Sequence, residues 1–287
     1  MSLSDQRWLV IGHLGMLGSD LIAALADRDV TGIDRLEIDI TQINQVRDAV
    51  IGYDVVANCA AYTAVDAAEA DERAAFAVNA VGPANLARAC RESGARLLHV
   101  STDYVFAGEA TNPYDEDALP APRTAYGRTK AAGEWAVRSE LPNDHIIFRT
   151  AWLYGAHGPN FVRTMINLEA TLDTVEVVDD QRGQPTWSGD LAARMVATVD
   201  ARVPAGTYNA TASGETTWFG LARKVFSMLG ADPERVIATT SGKFVRPAVR
   251  PAYSVLGHSR WDGVGMSPMR DWAVALDAAW PLLVGGG

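Results

Sequence analysis

The sequence predicts an α/β fold in which a doubly wound parallel sheet is followed by a smaller C-terminal α/β domain. Two observations indicate the parallel sheet. Apolar segments alternate with helical stretches through the first half, and these segments are apolar throughout, as strands covered on both faces are. A third observation indicates the second domain, because the alternation becomes irregular after Thr150. A chain of 287 residues, 48% of them hydrophobic, can form one large or two modest domains.

The first half of the chain contains the predicted elements of the sheet. Strands are expected at short apolar runs, and helices where apolar residues recur at helical spacing. In chain order they are strand Arg7–Ile11, helix Leu17–Ala26, strands Val30–Asp34 and Leu36–Ile40, helix Asn44–Val50, strand Asp54–Asn58, helix Asp71–Ser93, strand Arg96–Ser101, helix Tyr126–Ser139 and strand His145–Thr150. We expect the long alanine-rich helix to bend near Gly82 and Pro83. Segment Glu109–Thr124, rich in Pro, Asp and Glu, is predicted to be a loop, either a functional flap or a loose surface excursion.

The second half contains shorter and less regular elements. They are helix Asn160–Ala170, strand Val175–Val178 and helices Ser188–Val203, Thr217–Leu229 and Met269–Trp280. Ser188 is expected to cap its helix, and Ser267 with Pro268 to begin the last one. We therefore predict a first domain over residues 1–152, to which the chain returns around 173–203, and a second domain over most of 153–287.

Composition excludes several classes of protein. The net charge is −10, the pI is near 5.0, and no basic run interrupts the acidic balance, so a nucleic-acid partner is not expected. Two cysteines, Cys59 and Cys90, do not suggest a disulfide framework and are expected to be buried thiols. No apolar run approaches a membrane span of about 20 residues, and the first residues lack a signal-peptide pattern. We expect a soluble cytoplasmic protein with no membrane partner.

A glycine-rich turn directly follows the first predicted strand. Gly12, Gly15 and Gly18 allow a tight turn and close approach of a pyrophosphate, and the next helix offers unpaired N–H groups at its positive end. The spacing is G-x-x-G-x-x-G rather than the common G-x-G-x-x-G. The alternative is a turn that only packs helix on strand. Its position favours the phosphate-binding turn of a Rossmann-type domain, so residues 1–152 are predicted to bind a dinucleotide and the second domain to bind substrate.

Residues after the second strand bear on the choice of dinucleotide. Asp34 lies 16 residues after Gly18, where a carboxylate can accept hydrogen bonds from the adenosine ribose, which favours NAD. Arg35 could instead pair with the 2′-phosphate of NADP. The preference between NADH and NADPH stays open. Asp39 and Ile40 could flank the adenine or simply end a strand.

Tyr126 and Lys130 form a Tyr-x-x-x-Lys pair in a chain with only three lysines. On a helix these residues share one face. A nearby ammonium favours phenolate and lowers the pKa of tyrosine, so Tyr126 is predicted to donate or accept a proton. Lysine suits this position as a compact point charge, whereas arginine is a bulky fork. The alternative is an exposed helix pair without a role.

Together these segments resemble the extended short-chain dehydrogenase/reductase family over nearly the whole chain. The resemblance narrows to its dTDP-4-dehydrorhamnose reductase branch. It is carried, in the family's order, by GHLGMLG, NCAAYTAVDAAE, STDYVFAG, AYGRTKAAGE, FRTAWLYG, DDQRGQPT and TTW.

The resemblance implies a role for individual residues. The implied catalytic residues are Thr102, Tyr126 and Lys130. The implied cofactor contacts, beside Tyr126 and Lys130, are Gly12, Gly15, Met16, Leu17, Gly18, Asp34, Asp39, Ile40, Ala60, Ala61 and Thr63. The implied substrate contacts, beside Thr102, are Val65, Asp103, Tyr104 and Trp152. No metal site is assigned.

The implied reaction is reduction of the C4 keto group of dTDP-4-dehydro-6-deoxy-L-mannose to dTDP-L-rhamnose by NADPH or NADH. Tyr126 would protonate the alkoxide, Lys130 would hold the nicotinamide ribose and lower the tyrosine pKa, and Thr102 would bind the carbonyl oxygen. Related dehydratases carry Thr-Asp-Glu where this chain has Thr102-Asp103-Tyr104, which favours reduction over elimination. His13 departs from the usual small or polar residue of the turn.

Several alternatives remain at this stage. The chain could reduce another dTDP-deoxysugar of natural-product biosynthesis, act as a nucleotide-binding regulatory subunit without turnover, or be an epimerase. Lys243, Arg246 and Arg250 could bind the diphosphate, of which Arg250 is our candidate substrate residue, or form a solvated basic loop. Trp187 and Trp218 are expected in the core or at a domain interface rather than against a base. The protein is expected to be a monomer or homodimer.

Overall fold

The computed structural model describes residues 6–285, so residues 1–5, 286 and 287 of the predicted domains lie outside it. The strands in chain order are β1 (Arg7–Ile11), β2 (Asp29–Ile33), β3 (Val55–Asn58), β4 (Arg96–Thr102), β5 (His145–Thr150), β6 (Leu153–Tyr154), β7 (Val175–Val178), β8 (Arg182–Gly183), β9 (Thr186–Trp187), β10 (Gly206–Asn209), β11 (Ala212–Ser213), β12 (Thr216–Thr217), β13 (Val236–Thr239) and β14 (Met269–Asp271).

Helices connect most of these strands. In chain order they are α1 (Met16–Ala24), α2 (Ile43–Val50), α3 (Val65–Ala70), α4 (Glu72–Phe76), a π-helical segment (Ala77–Val81), α5 (Gly82–Ser93), a 3₁₀ turn (Asp103–Val105), α6 (Ala125–Glu140), α7 (Phe161–Glu169), α8 (Ser188–Asp200), α9 (Trp218–Met228), 3₁₀ turns (Pro233–Arg235 and Ser241–Lys243), α10 (Ser259–Gly263) and α11 (Trp272–Val284).

The main sheet is parallel and has the order β10-β5-β4-β3-β1-β2. The chain adds β2 on one side of β1 and β3, β4 and β5 on the other. The direction of winding therefore reverses between β1 and β3. In such sheets the carboxyl ends of the strands at the reversal point leave a crevice for a ligand.

Helices cover both faces of this sheet, which explains why its strands are apolar throughout. In β1, Trp8 and Val10 point to the layer of α1 and α8, whereas Leu9 and Ile11 point to the layer of α2, α5 and α6. A third cluster, between α7, α9, α11 and the β7–β13 pair, forms the core of the smaller C-terminal part. The predicted fold class is confirmed.

The edge strand β10 is protected by side chains from the C-terminal part. Arg260 donates to the carbonyl oxygen of Thr207 at 2.9 Å, and the Trp261 indole donates to that of Asn209 at 2.7 Å. These bonds satisfy outward backbone groups that could otherwise pair with another chain. The return of the chain to the sheet thus consists of α8, which packs on α1, and β10, which lies just beyond the predicted range 173–203.

Some predicted elements are wrong. Residues 36–40 form a turn rather than a strand, because the Asp34 carbonyl accepts from the N–H groups of Glu37 and Ile38. The predicted helix over 269–280 begins as strand β14, and Asp271 rather than Ser267 caps α11 by accepting from Ala273 N at 2.8 Å. Helix α3 and strand β10 were not predicted; β10 contains glycine and asparagine, which give a weak strand signal.

The predicted cap at Ser188 is also wrong. Ser188 is the first residue of α8, and its hydroxyl lies 2.5 Å from an Asp20 carboxylate oxygen and 3.0 Å from the Tyr154 carbonyl. Both cysteines are free thiols, with Cys90 buried and Cys59 half-buried. Within residues 6–285, no helix combines the length and apolarity needed to cross a membrane.

Candidate active site

The ends of four neighbouring strands bring the predicted site residues to one edge of the sheet. Gly12 follows β1, Asp34 follows β2, Ala60 comes two residues after β3, and Thr102 ends β4. Because the strands are parallel, their carboxyl ends meet at this edge. The arrangement places the glycine turn beside the end of β3, and the end of β3 beside the end of β4 that carries Thr102.

The glycine turn has the shape that a pyrophosphate requires. Gly12 has φ +82°, and a Cβ there would lie 2.8 Å from Ala60 N. At Gly18 a Cβ would overlap the Gly12 carbonyl and lie 2.7 Å from the His13 Cα. Helix α1 has Gly15 at its N-cap, no side-chain cap and no acidic residue in its first turn. Its leading N–H groups, which include those of Met16 and Leu17, therefore remain available to an anion, and the turn fits a dinucleotide.

Asp34 connects the glycine turn to β2. Its carboxylate accepts from Leu14 N at 3.2 Å and from Arg35 N at 2.7 Å. The His13 ring lies on Gly32, where a Cβ would come within 2.6 Å of it. The turn, the Asp34 carboxylate and the exposed Arg35 thus border the same corner of the sheet.

Asp39 and Ile40 have different surroundings. Asp39 is exposed, and its carboxylate accepts from the Thr41 hydroxyl at 2.7 Å, which lowers the Asp39 pKa. Ile40 is buried against α5, with its side chain at the position that a Cβ of Gly82 would need. Its side chain is therefore occupied in the core.

The segment after β3 is linked to helix α6 through Asn79, a residue that sequence reasoning missed. Asn79 accepts from Tyr62 N at 2.8 Å and donates to Tyr62 O and to the Thr129 hydroxyl, both at 3.1 Å. Thr129 in turn donates to Tyr126 O at 2.8 Å. Ala60, Ala61 and Thr63, which flank Tyr62, are thereby positioned relative to α6, the helix that carries Tyr126 and Lys130. The sequence feature that could have indicated Asn79 is the presence of an asparagine within an alanine-rich predicted helix.

Tyr126 lies in the first turn of α6, which Thr124 caps by accepting from Gly127 N at 3.0 Å. Its ring meets the Tyr104 ring edge-on, with centroids 5.6 Å apart. The Thr102 side chain at the end of β4 is within hydrogen-bonding reach of the phenol. In this state the Thr102 hydroxyl donates to Asp103 Oδ1 at 2.9 Å. The structure thus brings Thr102 and Tyr126 together.

Lys130 lies one turn further along α6, with its side chain buried. Its ammonium donates to the Val100 carbonyl oxygen at 2.6 Å, two residues before Thr102. Burial lowers the Lys130 pKa to about 8, against the opposing effects of Glu134 and Cys59. The cation therefore sits between the ends of β3 and β4, beside the glycine turn.

The expected lowering of the Tyr126 pKa is wrong for this state of the protein. Burial raises the pKa of the phenol to about 12, and the hydrogen bond with Thr102 acts in the opposite direction. Lys130 is not among the groups that shift this pKa, and its ammonium is bound to the Val100 carbonyl. Tyr126 is thus a neutral phenol, suited to giving a proton away.

Asp103 is a buried carboxyl group in the same cluster. One oxygen accepts from the Thr102 hydroxyl, whereas Oδ2 has no hydrogen-bond partner among residues 6–285. Burial raises the Asp103 pKa to about 6, while hydroxyl groups of Ser254 and Thr102 oppose the rise. Ser254 comes from the C-terminal part, so the cluster joins both halves of the chain.

The three predicted diphosphate cations do not form one cluster: Arg246 and Arg250 approach Asp66, and Lys243 lies elsewhere. Lys243 donates to Glu176 on β7 at 2.6 Å, and Arg246 is exposed and 3.9 Å from Asp66. Arg250 binds Asp66 of α3 at 2.8 Å. Of these three, only Arg250 lines a cavity of about 190 Å³ that Tyr104 also lines.

Val65 and Trp152 lie at the border of this region. Val65 is the first residue of α3, directly before the Asp66 that holds Arg250. Trp152 comes two residues after Thr150, which pairs in register with Thr102. Trp152 has φ +48°, a backbone conformation that bulky residues rarely adopt. Asp66 was missed because its partner lies 184 residues away.

Comparisons with known proteins were consistent with this geometry. The family described as RmlD substrate binding domain matches residues 6–282. The dTDP-4-dehydrorhamnose reductase of Streptomyces griseus is 55% identical, covering 97% of this chain and 94% of that protein. The dTDP-4-keto-6-deoxy-D-glucose reductase of Streptomyces niveus is 50% identical, covering 96% of this chain and 97% of that protein. The structure of dTDP-4-dehydrorhamnose reductase from Bacillus anthracis str. Ames in complex with NADP has a TM-score of 0.93 and 37% identity, covering 96% of this chain and 99% of that one.

Proposed function

The chain belongs to the RmlD substrate binding domain family, and from this membership and the site geometry we propose that it is a dTDP-sugar 4-ketoreductase. The reaction is the reduction of the C4 keto group of dTDP-4-dehydro-6-deoxy-L-mannose to dTDP-L-rhamnose. NADPH is the reductant, in keeping with the NADP complex of the related structure. The family resemblance seen in the sequence is thereby confirmed.

One observation carries this proposal: a neutral, partly buried phenol and a buried ammonium lie on one helix at the edge of the sheet that carries the glycine turn. Tyr126 and Lys130 are one turn apart on α6, and Thr102 reaches the phenol from β4. When bound, NADPH supplies the hydride. The neighbouring residues must then bind the ketone, hold it in place and give it a proton.

Each residue has a distinct role in this proposal. The Tyr126 phenol gives its proton to the C4 oxygen as negative charge develops there. Thr102 donates a hydrogen bond to the same oxygen, which requires its hydroxyl to turn away from Asp103. The Lys130 ammonium is held by its bond to the Val100 carbonyl and would hold the nicotinamide ribose of the bound cofactor.

The residue after Asp103 favours reduction over elimination. Elimination from a 4-keto sugar needs a base to remove the C5 proton, and Tyr104 is a neutral phenol whose pKa is raised by burial. The Tyr104 ring packs on Tyr126 instead. Tyr104 is therefore suited to shaping the pocket rather than to accepting a proton.

A second candidate is reduction of a different dTDP-4-keto-6-deoxy sugar. It is favoured by the 50% identical relative, which is named for a D-glucose-configured substrate. The same catalytic residues would serve both reactions, because the shape of the pocket selects the configuration of the sugar. The two candidates differ only in which keto sugar is turned over.

The test is to supply NADPH with either 4-keto epimer and follow the loss of NADPH absorbance. We expect turnover with the L-lyxo ketone and dTDP-L-rhamnose as product, identified by NMR. Faster turnover of the D-xylo ketone would establish the second candidate. No NADPH loss with either ketone would exclude both.

The same proposal assigns a different ligand to each of the two parts of the chain. Residues 1–152 with α8 and β10 hold the cofactor, and the remainder of 153–287 holds the sugar nucleotide. The enzyme works in the cytoplasm, where nucleotide sugars and NADPH are found, as a monomer or homodimer without nucleic acid or membrane partners. Light scattering of the purified protein tests the oligomeric state.

A further inference from the structure

Trp152 and Trp218 form a stacked pair where the two parts of the chain meet. Their ring centroids are 3.6 Å apart and their planes differ by 8°. Trp152 follows the main sheet after β5, whereas Trp218 is the first residue of α9 in the C-terminal part. Phe161 packs on Trp218 with centroids 4.6 Å apart, so the stack is anchored in the C-terminal core.

The backbone of Trp152 does not hold this geometry by itself. Its φ of +48° is strained for a bulky side chain, and such conformations persist only where surrounding contacts enforce them. Two contacts do so here. The Thr186 N–H donates to the Trp152 carbonyl at 3.2 Å, and Gly183 leaves room for the indole, because a Cβ there would lie 2.6 Å from it. Trp218 supplies the third contact, across the indole plane.

The stack lies next to the reaction centre. Thr150, two residues before Trp152, pairs in register with Thr102 at the carboxyl edge of the sheet. Trp152 is partly exposed at that edge. A shift of its indole would therefore alter the wall beside the keto sugar without touching the glycine turn.

We infer that Trp218 is a positioning residue for the sugar nucleotide: it stacks on Trp152 and holds that indole at the edge of the reaction site. The inference rests on the proposed function and on the predicted role of Trp152 as a contact of the sugar nucleotide. Trp218 acts through Trp152 and does not itself touch the reacting atoms. Its loss should weaken binding of the sugar nucleotide and leave binding of NADPH unchanged.

The test is a double-mutant cycle on the KM of the 4-keto sugar nucleotide. Trp218→Leu should raise this KM about tenfold and change the NADPH KM less than about twofold. In a Trp152→Leu background the same substitution should have no further effect on KM. Trp218→Phe, which restores an aromatic face, should recover most of the loss.

Two controls accompany the cycle. Trp135→Leu removes an indole that is 73% exposed on α6 and should leave both KM values unchanged. Circular dichroism in the far-UV indole band should show the exciton signal of the stacked indoles in the wild type and in Trp135→Leu, but not in the Trp218 variants. If Trp218→Leu does not fold, as judged by far-UV circular dichroism, the cycle is run with methionine, which also lacks an aromatic face, at both positions.

The outcomes separate this inference from the function on which it rests. If the wild type oxidises NADPH with neither keto sugar, the proposed function fails. If the wild type is active but Trp218→Leu loses the exciton signal and leaves the sugar-nucleotide KM unchanged, the inference is overturned. Additive effects in the cycle would also overturn it, because Trp218 would then act independently of Trp152.

Discussion

The ionisable residues of the site differ in the direction in which burial shifts their pKa. Burial raises the pKa of Tyr126 and Asp103 and lowers that of Lys130, because a charged group is less stable away from water. All three shifts favour neutral side chains. The Lys130 pKa of about 8 leaves this side chain largely charged at neutral pH. The site therefore holds a neutral phenol one helical turn away from a buried cation.

Replacing the phenol tests its role as proton donor. Tyr126→Phe should lower kcat by about 10²–10⁴-fold, the usual contribution of a positioned general acid, and change NADPH affinity little. Stopped-flow absorbance gives kcat, and NADPH fluorescence titration gives the affinity. Tyr53→Phe is the matched control, since Tyr53 precedes β3 at the opposite edge of the sheet. Turnover near that of the wild type would show that Tyr126 is not the donor.

Asp103 should make stability depend on pH. Its pKa rises from 3.8 to about 6 on folding, so the folded protein keeps a proton that the unfolded chain releases. This contribution is fully present below pH 3.8 and is lost as pH rises through 6. Relative to Asp103→Asn, which cannot ionise, the wild type should lose on the order of 3 kcal/mol of unfolding free energy over this window.

Urea unfolding at a series of pH values measures the difference. Asp48→Asn, at an exposed position on α2, is the control for removing a carboxylate. Parallel stability curves for the wild type and Asp103→Asn would contradict the shift.

At the scale of elements, the glycine turn and α1 act as one unit. Gly15 begins α1 without a side-chain cap, and Gly18 lets the first turn of the helix pack against the Gly12 carbonyl. The helix therefore starts directly at the strand end, which brings its positive end to the crevice between β1 and β3.

Adding one methyl group should disrupt this unit. Gly18→Ala places a Cβ against the Gly12 carbonyl, so the turn must open; we expect NADPH affinity to fall at least about tenfold and Tm to drop by several degrees. Gly263→Ala is the matched control, because no atom lies within 4 Å of the added Cβ. Fluorescence titration and thermal unfolding are the measurements. Unchanged NADPH affinity in Gly18→Ala would show that the turn tolerates a side chain.

For the whole molecule, the C-terminal segment completes the site by crossing back onto the first domain. Arg250 binds Asp66, the Ala248 N–H also donates to Asp66 at 3.2 Å, and Ser254 reaches Asp103. The cavity beside Tyr104 exists because this segment lies over it. Substrate binding and the contact between the two parts of the chain are therefore coupled.

Removal of the Arg250 charge tests this coupling. Arg250→Gln should raise the sugar-nucleotide KM about tenfold, because a charge-assisted contact is lost and the partly buried Asp66 loses its partner. The NADPH KM should not change. Lys243→Gln is the matched control, since Lys243 pairs with Glu176. Equal sugar-nucleotide KM values for Arg250→Gln and the wild type would argue against a role in binding.

Local patterns were sufficient for much of the fold and part of the site. Strands β1, β5 and β7 were predicted residue for residue, because apolar runs between polar turns indicate which segments are buried. The glycine turn and the Tyr126–Lys130 pair are equally local, since a turn or one helical turn defines their geometry. Their catalytic and binding roles remain predictions.

Tertiary structure alone decided which distant segments meet. Asn79, Asp66 and Trp218 join the site through contacts with partners far away in the chain, and no local spacing records those partners. The same holds for the edge strand β10, whose weak strand sequence is stabilised by pairing with β5. The direction of the Tyr126 pKa shift also depends on the tertiary structure. The sequence spacing placed a cation on the same helix, but the packing of the molecule determined the burial of the phenol and bound the ammonium to Val100. Periodicity determines which face of an element is buried, whereas the choice of partner depends on the packing of the whole molecule.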